Sequence, residues 1–526
     1  MSERLDSWKE IAAHLKRDES TVQRWEKEGL PVHRHAHKKK ATVYAYKSEI
    51  DAWWTDGPLA GQAASIAVLP LRNLSMDPAE SYFANGMTEA LINELGKISA
   101  LQVCSYQSVF GYRQTTRPLP EIAEELKVDA LLEGAVLRSG DRIRITANLL
   151  GAHPERHLWA ETYELDPRDV LAMQREVARD VARQIRIKLT PQEQVRLTTS
   201  RRVNPEAYEA YLLGRAYFNR ISAGRSWTRA KECFEKAIEK DPGYAPAYAG
   251  LAQLYAWLRG AFPKDPRANR IEAKEWAEKA LELDDTLAEA HVALARVAWL
   301  EWDWTGAERE YRRAIELSPS YPLARVWYAQ YLYTMQRAAE AVVQVERAMQ
   351  LDPGSPFVNT WAGAVYFFAG RVEQAMASWR RALELDPSYP DARLLLARAY
   401  VTLAMPQQAI AELQKALTFD RDPFVLGALA HAYARAGRRE EALNLVGELA
   451  RKEELMEAEG RSIPRIPFVW AYVGLGENEQ AFAWLEKAYQ ERRSRLVWLT
   501  VDPLLEPLRS DPRFADLVRC VGLPTQ

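Results

Sequence analysis

Between Leu287 and Asp422 the chain repeats itself every 34 residues, and few folds accommodate such a period. Ala307, Ala341, Ala375 and Ala409 keep the interval, as do Ala314, Ala348, Ala382 and Ala416, and Ala295, Ala329, Gly363 and Ala397. Pro319, Pro353 and Pro387 keep it too, each behind a Leu-Ser or Leu-Asp pair. Small residues at a fixed spacing mark points where two helices cross closely, since a bulky side chain there would hold the backbones apart. Each period therefore predicts a helix, a turn and a second helix, closed by a proline that cannot extend it. One such hairpin cannot bury its apolar face, whereas a stack can.

The unit AEAHVALARVAWLEWDWTGAEREYRRAIELSP (288–319), with the endings ERAMQLDPGSP and RRALELDPSYPDA, resembles the tetratricopeptide repeat. The resemblance implies a right-handed superhelix whose concave groove, lined by the first helix of each pair, binds peptides or proteins. Mapped onto this sequence it offers Arg296, Trp299, Gln330, Tyr333, Phe367, Phe368 and Arg398 as groove residues. That set lacks the Lys/Asn pattern with which relatives clamp a terminal carboxylate, so a hydrophobic or mixed partner segment fits it better. The alternative is that these aromatics pack within the array. About eight units fit between residues 205 and 492, with longer turns in the first two. The tail, 493–526, reads as a capping segment in which Phe514, Leu517 and Val518 cover the last apolar face.

The rest of the chain predicts further domains, as 526 residues require. Net charge is −2, so any nucleic-acid site must be local. The three cysteines, Cys104, Cys233 and Cys520, lie far apart, which suits a reducing cytoplasm and argues against a disulfide framework. The start, MSERLDSWKE, has no apolar core, and no apolar run is long enough for a bilayer, so a cytoplasmic chain without membrane contact is expected. The 17 tryptophans, many in repeat helices, are read as large packing surfaces.

Residues 1–54 predict a DNA-reading module. Trp8, Ile11, Ala12 and Leu15 make one helical face, Asp18-Glu19-Ser20 a turn, and Thr21 to Glu28 a second helix ended by Gly29. VHRHAHKKKATVYAY (32–46) alternates like a two-stranded ribbon, and KSEIDAWW closes a small core. TVQRWEKEGLPVHRH with VYAYKSEIDAWW resembles the excisionase/MerR-type winged helix, in which the second helix enters the major groove and the hairpin wing follows the backbone. By position that implies DNA contacts from Thr21, Gln23, Arg24 and Lys27 on the helix and from Arg34, Lys38, Lys39 and Lys40 on the wing. Arg and Gln can bond base edges while Lys neutralises phosphate. Five Lys or Arg and no Asp or Glu lie between Gly29 and Ser48. One reading helix spans few base pairs, so a homodimer is expected. His33, His35 and His37 alternate as metal ligands can, but no carboxylate or cysteine lies near in sequence, and no metal is expected.

After a linker at 55–64, residues 65–190 predict an α/β domain of order β-α-β-α-β-β-β-α. SIAVLPLRNLSMDPAESYFANGMTEALINEL, DALLEGAVLRSGDRIRITANLL and HLWAETYE resemble the TolB amino-terminal-like domain, related to FlgO-type domains. In several bacterial lineages such a domain stands between a DNA-binding, kinase or cyclase module and a repeat array, without catalytic residues of its own. No phosphate loop and no G-x-S-x-G elbow occurs. Asp77, Glu80, Glu89 and Glu161 read as solvated or capping carboxylates, and His153 to His157 as a hairpin loop. Thr190-Pro191 stops the long helix, and residues 192–208 read as a polar joint. The fold class expected is thus multidomain: a winged helix-turn-helix, a mixed-sheet α/β domain and an all-α tetratricopeptide repeat superhelix. The function expected is a transcriptional regulator with a protein or peptide partner, no enzyme and no cofactor; the alternative is an interaction scaffold or signalling adaptor with little specific DNA binding.

Overall fold

The computed structural model describes residues 4–15, 19, 22–23, 30–35, 42–50, 64–75, 81–113, 115–139, 142–152, 155–199, 201–219, 226–257, 265 and 267–525. The chain divides into two compact units, Met1–Ala64 and Ser65–Gln526.

In the first unit, strand β1 (Arg4–Leu5), helix α1 (Trp8–His14) and strands β2 (His33–His35) and β3 (Thr42–Tyr46) are followed by a helical turn at 47–50. Ser7 starts α1 because its hydroxyl accepts the Glu10 backbone N–H at 3.2 Å. The sheet is antiparallel in the order β1-β3-β2. Leu5, Ile11, Ala12, Leu15, Val22, Leu30, Ala45 and Ile50 form one buried cluster, with Trp8 against it.

The second unit opens with a six-stranded sheet built from β4 (Ala64–Val68), β5 (Arg72–Asn73), β6 (Leu101–Val103), β7 (Ala130–Ser139), β8 (Arg142–Ala152) and β9 (Glu155–Leu165). Its order is β6-β4-β7-β8-β9; β4 and β5 run parallel to β7, and the last two pairings are antiparallel. Its helices are α2 (Ser81–Gly96), α3 (Tyr106–Phe110), α4 (Leu119–Leu126) and α5 (Val170–Gln184). Two short elements, β5 and α3, were too brief to carry a periodicity of their own. The stretch read as a polar joint contains a further helix, α6 (Pro191–Thr198), which Thr190 and Glu193 close with a capping box.

Eight helical hairpins follow among the described residues. They are α7 (Pro205–Phe218) with α8 (Ser226–Lys240), α9 (Ala245–Trp257) with α10 (Ala268–Leu283), α11 (Ala288–Leu300) with α12 (Trp304–Leu317), and α13 (Pro322–Thr334) with α14 (Ala338–Leu351). The rest are α15 (Pro356–Phe368) with α16 (Val372–Leu385), α17 (Pro390–Thr402) with α18 (Pro406–Leu417), α19 (Pro423–Arg435) with α20 (Arg439–Ala458), and α21 (Ile466–Leu475) with α22 (Asn478–Gln490). First helices stack on first helices down the array. Ala307, Ala341, Ala375 and Ala409 are fully buried, and a Cβ at Gly363 would stand 2.6 Å from the Trp379 indole. The register of small residues is therefore the register of the crossings. Pro319, Pro353 and Pro387 each stand two residues beyond a helix end, while Pro322, Pro356, Pro390 and Pro423 begin the next, where their missing N–H is harmless.

The turn inside four consecutive hairpins, α11–α12 to α17–α18, holds a left-handed residue, and it recurs every 34 positions. Trp302 (φ 69°), Gln336 (φ 59°) and Ala404 (φ 56°) adopt that conformation without being glycine, whereas Gly370 (φ 75°) adopts it freely. At Trp302 the side chain accounts for the strain: its ring stacks on Tyr489 at 5.8 Å and lies under Arg492 at 4.7 Å.

Candidate functional site

The α/β domain is fastened to the array by buried polar contacts. Arg215 on α7 donates to Glu89 on α2 at 2.5 Å, and Asn219 donates to the same carboxylate at 3.0 Å. Glu89 is thus neither solvated nor a cap; it is buried and its charge is held by Arg215, whose burial would otherwise be prohibitive. Glu161 is exposed on β9, and Asp77, Glu80 and His153 lie outside the described residues. Farther along, the Ser320 hydroxyl donates to the Leu101 carbonyl at 3.0 Å, and the Ser105 backbone N–H donates to the Leu351 carbonyl at 2.9 Å. The Ser108 hydroxyl donates to Asp352 at 2.7 Å and accepts the Gly354 N–H at 2.9 Å. Burial pushes the Asp352 carboxyl up to about 6, against hydrogen bonds from Ser105, Ser108 and Ser355 that lower it.

Where this domain meets the turns between hairpins, a cleft of about 760 Å³ opens. Trp227, Trp257, Tyr321, Phe357 and Tyr389 line it together with Glu289, Asp386, Asp391, Asp420 and Asp422. Counting Glu89 and Asp352, seven carboxylates face two cations, Lys97 and Arg215. Asp386 and Asp422 also cap their own chain, accepting the Ser388 and Phe424 backbone N–H groups at 2.9 and 2.7 Å.

The inner face of the array, formed by the first helices, is filled by the chain's own tail. Two 3-10 turns, Ser494–Trp498 and Pro503–Leu508, lie against α11, α17 and α21. Trp498 meets Trp299 edge-on at 5.1 Å, Tyr333 at 5.1 Å and Trp361 at 5.7 Å. Asp502, buried, accepts from Arg398 at 2.5 Å and from the Trp470 indole at 2.8 Å, and it caps Leu504 at 3.0 Å. Leu496, Val497, Leu499, Leu504, Leu505 and Leu508 are all buried. The final helix, α23 (Pro512–Val521), buries Phe514, Leu517 and Val518 in the same cluster as the last hairpins. Read from sequence as an end cap, the tail also runs across the inner face.

Each groove residue named from sequence has a place in this arrangement. Trp299, Gln330, Tyr333 and Arg398 are buried at the inner face, and three of them are in contact with the tail. Arg296 lies over the Trp327 ring at 4.4 Å and donates to the Ala256 carbonyl at 3.0 Å. Phe368 packs on Tyr333 at 5.3 Å, while Phe367 packs on Trp379 of its own hairpin at 5.8 Å. Trp498 and Asp502, which hold this face together, were missed because no local spacing points to them.

In the small unit, Gln23 and Arg34 are exposed, the latter on β2. Thr21, Arg24, Lys27, Lys38, Lys39, Lys40 and His37 lie outside the described residues. His33 has a carboxylate neighbour after all: Glu49, distant in sequence, stands 2.7 Å from its Nε2, and Tyr44 stacks on the ring at 5.1 Å. Among the described residues no group of three His, Cys, Asp or Glu is placed to hold a metal ion, and no helix is long and apolar enough to cross a membrane.

A stack of helical hairpins with small residues at every crossing defines the class: the chain carries a tetratricopeptide repeat array, a scaffold for protein–protein contact, beside a mixed-sheet region. Tetratricopeptide repeat family models match residues 292–356, 363–403 and 390–423. Among curated proteins, the chain is 39% identical over 188 residues to "Putative adenylate cyclase 3" of Rhizobium meliloti (strain 1021), a match covering 36% of this chain and 32% of that protein. The chain thus spans about a third of that relative's length. Among solved structures it is similar to Pseudomonas aeruginosa pilF (25% identity, TM-score 0.32, 40% of this chain and 92% of that one). It is also similar to yeast Tom70 (17% identity, TM-score 0.34, 67% and 63%) and to YrrB, a TPR protein with an unusual peptide-binding site (22% identity, TM-score 0.26, 38% and 98%).

Proposed function

We propose that the chain is a non-catalytic interaction scaffold that holds a basic segment of a partner protein in the cleft between its α/β domain and its repeats. One observation carries this reading: the inner face is occupied by residues 494–508, whereas the cleft is open, aromatic and rich in carboxylates. Lysine and arginine side chains suit such a wall, pairing with carboxylates at its rim and lying over its rings. The test is a photo-crosslinking amino acid placed at Tyr389 in the cleft or at Val343, exposed on the second helix of its hairpin. A partner should crosslink from Tyr389 and not from Val343, and Glu289→Lys with Asp420→Lys should abolish the crosslink. Equal crosslinking from both positions, or indifference to the charge reversal, sinks the reading.

A second reading, a DNA-binding regulator, is favoured by one feature of the small unit: an antiparallel β1-β3-β2 sheet packed on α1, with exposed Arg34 on its hairpin. On this reading a duplex binds with a steep salt dependence. Lys38→Ala with Lys39→Ala should then reduce the slope of log K against log salt by about 0.9 for each phosphate the protein no longer neutralises. An unchanged slope and affinity would assign the basic hairpin to solvent.

A further inference from the structure

In four successive hairpins one side chain clamps the turn behind it, at the 34-residue interval of the repeats. His291, Arg325, Asn359 and Arg393 each bond the carbonyl six residues back, that of Asp285, Pro319, Pro353 or Pro387, at 3.2, 2.8, 3.0 and 2.7 Å. In the first and last of the four, a carboxylate on the second helix faces the clamp: Glu310 stands 2.7 Å from His291 Nδ1, and Glu412 accepts from Arg393 at 2.6 Å. Asn359 is neutral and needs none. Arg325 is charged, yet the residue at that place is Gln344, which accepts at 2.9 Å and brings no charge. The same exchange occurs again on α14. Arg313 and Arg381 each donate to a glutamate three residues on, Glu316 and Glu384, at 3.4 and 3.2 Å, whereas Arg347 donates to Gln350 at 2.9 Å. One hairpin thus holds two guanidinium groups without the carboxylates that the repeat register supplies elsewhere.

The two cations stand together at the seam with the α/β domain. Gln344, Arg347 and Gln350 follow one another at intervals of three on α14, where helical neighbours meet. Arg347 reaches across to Gln102 on β6 and donates to it at 2.6 Å. Burial, and after it the Arg347 charge, pushes the Arg325 guanidinium below its usual value, and burial does the same to Arg347. The Oε1 atoms of all three glutamines accept from these arginines, which leaves their amide N–H groups as donors. Among the described residues those amides, and Nε and Nη2 of Arg347, meet no acceptor, and neither arginine makes an ion pair. Both arginines are half-buried and Gln350 is exposed, so solvent reaches the site. It is a cluster of donors with two positive charges. A carboxylate would balance one guanidinium; a phosphate dianion balances both and has oxygens enough for the amides.

We propose that Arg325 and Arg347, with the amides of Gln102, Gln344 and Gln350, bind one phosphate dianion, free or as a monoester, where the α13–α14 hairpin meets β6. None of these five residues lines the acidic cleft, so the site does not rest on what the cleft holds. Because Gln102 belongs to the α/β domain, bound phosphate ties that domain to the repeats.

The experiment titrates the full chain with inorganic phosphate, O-phosphoserine, AMP and acetate separately, at constant ionic strength, by calorimetry and by thermal unfolding. Inorganic phosphate should bind and raise Tm, and acetate should not. Tighter binding of phosphoserine or AMP would identify a monoester as the source, and binding of inorganic phosphate alone would identify the free ion. Arg347→Gln should weaken the binding by about tenfold, the scale of one hydrogen bond to a charged acceptor. Gln344→Glu with Gln350→Glu supplies the carboxylates found in the neighbouring hairpins and should abolish the response to phosphate. Arg313→Gln, one hairpin away, should leave it unchanged. Circular dichroism establishes that each variant folds, and either Arg347→Gln or the double variant alone suffices. Three results overturn the proposal: no phosphate compound binds, acetate binds as tightly, or the folded site variants respond to phosphate as the wild type does.

Discussion

The cleft and a hollow of about 200 Å³ on the inner face, lined by Trp299, Trp327, Trp361 and Trp498, share a wall, Trp257 against Phe357 with ring centroids 4.8 Å apart, yet differ in the side chains that line them. On one side stand carboxylates and an open rim. On the other stand arginines, with Trp498 of the tail among them. The repeats alone do not decide this division. It is set by what lies outside them: the α/β domain, which turns one edge of the stack into a cleft, and the tail, which occupies the face where repeat arrays usually receive partners. A tethered tail acts at high effective concentration, so a rival for that face must outcompete an intramolecular contact. The comparison predicts that the two sides respond differently to mutation.

The largest effect is expected where the tail is pinned. Asp502→Ala removes the acceptor of Arg398 and of the Trp470 indole and leaves a guanidinium buried without its charge partner. Breaking a buried pair in this way costs about 3–5 kcal/mol. Urea unfolding measures it, and a loss below about 1 kcal/mol would mean the tail does not rest on the inner face. Replacing both partners, Arg398→Met with Asp502→Leu, should recover most of the loss, since no charge is then stranded. Trp498→Ala should cost less, about 2–3 kcal/mol, because this ring is only half-buried and full-burial truncations run higher. Dye binding to newly exposed aromatic surface should accompany it.

On the cleft side the carboxylates are not equivalent, and pH separates them. Asp352 is buried against Ser108 and titrates near 6 in the fold, against about 3.9 in an unfolded chain. Below about 3.9 both states keep the proton, and this group contributes no pH dependence. Between there and about 6 the unfolded chain releases its proton first, so stability falls as pH rises, by roughly 3 kcal/mol at most, and is level above. Asp352→Asn keeps the shape and removes the titration. Its stability relative to wild type should therefore improve from pH 4 to pH 7; an equal difference at both ends would show the carboxyl to be hydrated.

These contrasts also explain what the sequence could reveal. The crossings were legible because each is encoded in the residue that makes it: Ala307, Ala341 and Ala375 are small where the helices touch. The α/β strands were legible for the same reason, their apolar faces being local patterns. Neither binding surface is local. Glu89 and Arg215 are 126 residues apart, and Arg398 and Asp502 are 104 apart. Which side chains meet there depends on how the stack curves, and no single-chain periodicity carries that information. The left-handed turns were hidden too, since Trp302, Gln336 and Ala404 stand where glycine would have announced them.

The smallest stability effect should come with a change in partner affinity. Asp420 is exposed on the cleft rim, beyond the end of α18, and no fold-supporting interaction depends on its charge among the described residues. Asp420→Lys should leave unfolding within about 0.5 kcal/mol of wild type, as surface changes generally do. Reversing one charge in an acidic cleft should still slow association with a basic segment, and added salt should shrink the difference, because the Debye length falls from about 10 Å at 0.1 M to about 3 Å at 1 M. Stopped-flow association at those two salt concentrations checks both halves. A rate difference that survives 1 M salt would point to the fit of the surfaces rather than to field, and the division between the two sides of the Trp257–Phe357 wall would then be one of shape.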